Sequence, residues 1–229
     1  MTKTPTPAQF APTGTGIYAA ATALMAVVLL LSNIGASKGV TFGWIVTDGG
    51  FFLFPVAYIV GDVVSEVYGW KASRRAIIFT FSMSVFASVC YWIIIWLPSA
   101  PWYDGQEALE RTLGPVPLIV LASLCGFLVG QLSNAWAMVR MKRSTGERLL
   151  FGRIAISTLV GEFLDTLVFC SIAAGVIGIS TALTFINYVA VGFLFKSAVE
   201  IVLSPVTIWT MNLVKRHEPE YGKSVSPVD

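Results

Sequence analysis

Asp62 and Glu66, Glu162 and Asp165, and Lys196 and Glu200 stand in pairs inside otherwise apolar runs. Spacings of three or four residues put the members of each pair on one face of a helix. In FPVAYIVGDVVSEVYG the flanking positions are Val60, Val63, Val64, Val67 and Tyr68, so the two acids have no solvated face to belong to. Carboxyls so placed normally line a cavity, pair with a cation or take up a proton. Asn33, with Lys38 beyond it, and Gln131 with Asn134 add amides on further helices, which serve equally as glue between helices. Phe54, Tyr58, Trp44, Phe163 and Phe169 accompany the acids and could sandwich a flat ring, although most aromatics in such a chain pack or mark an interface.

Five acids, Asp62, Glu66, Glu162, Asp165 and Glu200, face only Lys38 and Lys196, so mutual pairing cannot silence them all. Two pairings are open within that set: Lys196 with Glu200 at i and i+4, and Glu66 with Lys71 and Arg74. A carboxylate can accept two parallel N–H bonds, as from the N1–H and exocyclic amine of a guanine-type ring, while a lysine or amide donates to the ring carbonyl. Enzyme signatures are nearly absent. The single histidine, His217, lies in the C-terminal tail, and no G-x-S-x-G, paired C-x-x-C or phosphate-cradling glycine loop occurs. Catalysis would have to run on acids and water alone, and neither a metal nor a cofactor is expected.

The elements that must hold these residues follow from composition. Of 229 residues, 55% are hydrophobic and 12% charged, against about 25% charged in a soluble domain, and mean hydropathy is +0.75. That is an integral membrane protein. Six runs approach the roughly 20 apolar residues that cross a core about 30 Å thick: Gly16–Ala36, Gly50–Tyr68, Ala76–Leu97, Pro117–Val139, Ile154–Ile179 and Leu183–Val214. All are expected to be helical, because lipid cannot satisfy an open backbone. A cleaved leader is disfavoured, since the first apolar run exceeds a usual signal core. The cysteines Cys90, Cys125 and Cys170 sit in separate spans and make no disulfide framework. The third span carries no pair of the kind above and is expected to pack or face lipid.

Basic residues sort by side. Lys3, Lys71, Arg74, Arg75, Arg140, Lys142, Arg143, Arg148, Arg153, Lys215, Arg216 and Lys223 fall on one side, and Lys38 and Arg111 on the other. By the positive-inside rule both termini are cytoplasmic, with residues 1–15 a disordered tail, 16–214 one six-helix domain and 215–229 a second tail. The basic loops serve topology, so nucleic acid is not an expected partner. In PSAPWYDGQEALERTLGPVP a short interfacial helix is expected near residues 104–113, capped by Asp104 with Glu107 at N3 and stopped at Gly114-Pro115.

Leu31-Ser32-Asn33 recurs as Leu132-Ser133-Asn134, and Gly61-Asp62 as Gly161-Glu162, at nearly equal offsets. Three spans per half would make this an inverted repeat with a midplane site. Asp62 lies nine residues before Lys71, Gln131 nine before Arg140 and Glu162 nine after Arg153. At 1.5 Å per residue all three reach roughly 13 Å into the core. The acids are thus expected to meet something polar halfway across.

FPVAYIVGDVVSEVYG, STLVGEFLDTLVF, SNIGASK and the K-x-x-x-E of Lys196 and Glu200 resemble the bacterial queuosine precursor transporter family, also called vitamin-uptake-transporter-like, from about Asn33 to Pro205. The resemblance implies a six-helix protein of the bacterial inner membrane that imports 7-deazaguanine bases, precursors of a modified tRNA nucleoside. It also implies a plan similar to the binding subunits of energy-coupling-factor vitamin importers. Carried onto this chain, it implies substrate-binding roles for Asp62, Glu66, Glu162, Asp165, Lys196 and Glu200, beside the Asn33, Phe54, Tyr58, Gln131 and Asn134 singled out above. Relatives often carry Gln where Glu162 stands, so the extra carboxylate points to another ring substituent, such as an aminomethyl cation, or to a proton site. A nucleobase-like molecule in the bilayer is the expected partner, with a homodimer left open. The alternatives are a binding subunit driven by a separate ATPase and a membrane-embedded enzyme.

Overall fold

A computed structural model describes residues 8–42, 45–114, 117–175 and 180–222 of the chain. Trp44, residues 1–7 and 223–229 of the tails, and residues 176–179 of the fifth expected span lie outside the described residues. The elements run α1 (Gly16–Gly35), β1 (Gly39–Phe42), β2 (Ile45–Asp48), α2 (Phe54–Trp96), α3 (Gln106–Leu113), α4 (Pro117–Thr145), α5 (Leu150–Ala173) and α6 (Ala182–His217). Five of these helices, all but α3, are long and apolar enough to cross a membrane. The fold is helical but for one addition. The connection after α1 is an antiparallel hairpin with Gly39 opposite Asp48 and Phe42 opposite Ile45.

The second and third expected spans are joined in α2, whose 43 residues are broken only at Gly69, with φ 78° and ψ −175°. Only glycine takes that conformation readily. Ser73 donates its hydroxyl hydrogen to Ser65 Oγ at 3.2 Å, although eight residues of straight helix would separate them by about 12 Å. The chain therefore turns back on itself at Gly69. The first leg ends beside the N-terminal segment, where Ala11 N–H donates to Val67 O at 2.8 Å. The second leg brings Trp92 and Ile95 to the far end of α1, beside Asn33 and Ile34. The basic loop expected at Lys71, Arg74 and Arg75 is thus helix with its charges exposed.

α4 and α5 pack most extensively, and small residues allow it. A Cβ on Gly126 would stand 2.5 Å from Asp165 Oδ1, and one on Gly130 would stand 2.7 Å from Asp165 Cβ. Membrane helices gain their contact from such close approach, since lipid offers no hydrophobic drive between them. Pro205, inside α6, cannot donate to Ile201 O. The Ser204 hydroxyl does so instead at 2.5 Å, which keeps that carbonyl satisfied in an apolar medium. Gly61 and Gly161, from the suspected repeat, both lie against α4, but Asn33 and Asn134 occupy unlike surroundings.

α3 exposes every residue at least in part and is tied to the end of α2 by Gln106 Nε2 donating to Ile95 O at 2.9 Å. Its N-cap is Gly105 without a side-chain cap, so the expected capping by Asp104 is corrected. The helix ends at Gly114 as expected. The three cysteines are free thiols.

Candidate substrate site

Two buried clusters take up the predicted polar residues other than Asn33. The first lies among the first leg of α2, α4, α5 and α6. Asp62, Glu162, Asp165 and Glu200 are between 0% and 7% exposed there. Asn134 Nδ2 donates to Asp62 Oδ1 at 2.6 Å. Lys196 donates to Asp165 Oδ2 at 2.5 Å and stands 3.6 Å from Glu162 Oε2. Thr158 Oγ1 donates to Glu200 Oε2 at 3.0 Å. Lys196 therefore reaches across to α5 rather than along its own helix to Glu200, which corrects the pairing left open by their spacing. A lysine over an apolar helix extends toward the nearest strong acceptor, and Asp165 is held against α4 where it can be met.

Aromatic residues close one side. Lys196 Nζ sits 4.4 Å above the centre of the Phe54 ring, a cation–π contact, and Phe54 packs on Tyr58 with ring centres 4.8 Å apart. Tyr58 lines a gap of about 10 Å³ with Asp62, Thr158 and Glu200, about the room of one water. Among the described residues, several buried polar atoms here have no hydrogen-bonding partner: Tyr58 Oη, both Gln131 side-chain polar atoms, Asn134 Oδ1, both Glu162 oxygens and Glu200 Oε1. Such concentration is unusual, since buried polar groups are nearly always bonded. Phe163 stands apart, edge-on to Phe193 and exposed. Phe169 lies near Gly126.

Glu66 belongs to the second cluster, at the basic end of the bundle. Its Oε1 accepts from Arg153 Nη2 at 2.7 Å and Lys215 Nζ at 2.6 Å, with Lys142 Nζ 3.2 Å away. The pairing expected with Lys71 and Arg74 is thus corrected. Those residues point to solvent, whereas the cations that reach Glu66 come from α4, α5 and α6. Arg153 also pins the α4–α5 turn, donating to Gly146 O and Arg148 O at 2.6 Å each. Glu147, in that turn, accepts from Lys215 at 2.8 Å and Tyr221 at 3.0 Å. Burial alone would raise its carboxyl. The Lys215 bond and the Lys142 charge outweigh that and bring it from 4.5 down to about 2. Burial and the Glu147 charge push the Tyr221 phenol upward.

Asn33 joins neither cluster. It lines a cavity of about 660 Å³ at the other end of the bundle with Ser84, Ser88, Tyr91, Trp92 and Glu110. Sequence reading overlooked Thr158, the donor to Glu200, although it lies one turn before Glu162 on the same face. It also overlooked Lys142, Arg153 and Lys215 as partners of Glu66, for which no local spacing gives a signal.

Long apolar helices around a buried polar interior define a multi-pass membrane protein. More particularly, the chain belongs to the family described as "Putative vitamin uptake transporter", which matches residues 48–210. A relative from Bacillus subtilis (strain 168), named "Probable queuosine precursor transporter", is 25% identical over 188 residues, covering 82% of this chain and 81% of its own length. No solved structure matches. Membership in a family of transporters decides between carrier and enzyme in favour of the carrier.

Proposed function

We propose that this protein imports queuosine precursors, planar 7-deazaguanine bases, across the bacterial inner membrane. The observation that carries the reading is the convergence of four carboxyls, one ammonium and several unpartnered amide and hydroxyl atoms in the bundle interior. In this reading Glu162 or Asp165 accepts the paired N–H donors of the base. Gln131, Asn134 or Lys196 donates to its carbonyl, and Phe54 or Tyr58 covers a ring face. Asp62 and Glu200 complete the wall. The gap beside Tyr58 is far smaller than a base, so α2, α5 and α6 must part to admit one. The Asn33 cavity is the approach from outside, and Glu66 with its three cations is the closed inner gate.

The same reading takes α2 as two crossings, giving six in all. Thr15 donates to Glu218 Oε2 at 2.9 Å, so the described ends of the chain meet at one end of the bundle, which supports an even number of crossings. The excess of lysine and arginine there supports a cytoplasmic position for that end. The test is uptake of labelled 7-deazaguanine base by cells unable to make it. Uptake falls to background in Glu162→Ala and Asp165→Ala proteins that reach the membrane in normal amount. Full uptake by both variants rejects the assignment.

A second reading, a binding subunit that needs an ATPase module, rests on the resemblance in plan. Transport by the purified protein alone in liposomes excludes it.

A further inference from the structure

We propose that Glu162 and Glu200 are a proton-sharing carboxyl pair closed by the Tyr58 hydroxyl, and that the proton held there travels inward with the ligand. The inference rests on the reading that this site carries a nucleobase-like molecule.

Asp62, Glu162, Asp165 and Glu200 share a single ammonium, Lys196, which is committed to Asp165 at 2.5 Å. Thr158 and Asn134 donate hydrogen bonds to Glu200 and Asp62 but carry no charge. Among the described residues no other cation is in reach. Lys142, Arg153 and Lys215 are gathered on Glu66 and Glu147. An ionised, uncompensated carboxylate in a bilayer interior costs several kcal/mol, on the order of 2.5–3.5 even on the lenient insertion scale. Two carboxyls side by side cannot both bear that charge.

Geometry selects the pair. Thr158 and Glu162 are one turn apart on α5, and Lys196 and Glu200 are one turn apart on α6. The contacts Thr158 to Glu200 and Lys196 to Glu162 tie the two helices at both levels, which sets the Glu162 and Glu200 carboxyls beside one another. Both Glu162 oxygens and Glu200 Oε1 lack a donor. Independently, Tyr58 Oη, on a residue 2% exposed, lies beside the same two carboxyls, and its hydroxyl has no acceptor in ordinary hydrogen-bond geometry other than what that pair can offer. Ionised carboxylates accept only, so one added proton supplies the hydrogen bond that the pair lacks.

The groups around the pair are Tyr58 and Asp62 from α2, Asp165 from α5 and Lys196 beside Glu200 on α6, with Cys170 near Lys196 and Asp165 and the neutral Gln131 and Asn134 of α4 against Gly61 and Gly161. With a neutral base accepted by one carboxylate, the other keeps the proton. The proton leaves the loaded site less negative than the empty one, which makes it easier to seal from water while the helices rearrange. No covalent step occurs: one H⁺ binds from the outer side and leaves on the inner side with the base.

The test uses purified protein in liposomes and a labelled 7-deazaguanine base. With the outside acidified by one pH unit, the base accumulates about tenfold over the external level, because one unit is a factor of ten in the driving force. A protonophore abolishes the accumulation. If the base enters but only equilibrates, or if acid outside slows it, the proton proposal falls and the carrier reading stands. If no base moves under any gradient, both fall. A ligand-free readout is the infrared carbonyl stretch of protonated carboxylic acid. Its intensity drops in Glu162→Gln and in Glu200→Gln, and stays in Glu107→Gln on the exposed helix α3. Identical spectra in all three overturn the pair.

Discussion

The two buried charge clusters follow opposite rules. At the basic end, Glu66 and Glu147 meet Lys142, Arg153 and Lys215, so cations outnumber acids and most atoms are bonded. Deeper in the bundle, four carboxyls meet Lys196 alone, and several polar atoms have no partner. The first arrangement suits a fastening, because breaking a buried, satisfied ion pair is expensive. The second suits exchange, because its groups gain from whatever they meet.

The contrast can be broken by mutation. Glu66→Gln removes the one carboxylate that Lys142, Arg153 and Lys215 share, leaving Glu147 alone to meet two of them. It is expected to cost about 3–5 kcal/mol, read as a lower unfolding temperature and a smaller yield of folded protein in detergent. An unchanged unfolding temperature would remove the distinction between the clusters.

Gly69→Ala comes next. It forces a side chain into a backbone region costing about 1–3 kcal/mol, with the new Cβ 3.1 Å from the Phe10 ring. A thermal shift well below that of Glu66→Gln, with the bundle intact, is expected. Glu162→Gln should do the reverse of Glu66→Gln, leaving the unfolding temperature unchanged or raised while uptake falls, since the amide mimics a protonated acid. A marked loss of stability would mean that Glu162 is a fastening too.

The smallest effect is a pH dependence at Glu147. Its folded value, about 2, lies below the ordinary 4.5, so its contribution is complete above about 4.5 and is lost as pH falls toward 2. The stability difference between wild type and Glu147→Gln should therefore shrink across that acid range and stay constant above it. A difference that grows on acidification contradicts the assignment.

How much of this was legible in sequence depends on the range of each interaction. Spacing along one helix correctly aligned Glu162 with Asp165, and the glycine at position 69 marked the end of one apolar run. The reversal at Gly69 was expected as a loop, because its basic residues read as a connection, whereas the backbone turns in one residue and resumes helix. Lys196 and Glu200 were adjacent in pattern but not partners, since Asp165 from α5 competes for the same ammonium. Glu66 illustrates the limit: its partners are 76, 87 and 149 residues away in sequence, and no periodicity encodes such distances.

The knot of Thr15, Tyr68 and Glu218 has a consequence for biosynthesis. Tyr68 donates to Glu218 Oε2 at 2.7 Å beside the Thr15 bond, so the earliest and latest helices are latched together by residues that leave the ribosome far apart in time. Until Lys215 and Glu218 emerge, the nascent chain holds Glu66 and Tyr68 without part of their final company. The latch therefore closes only after α6 has been made, and the first two helices wait for it.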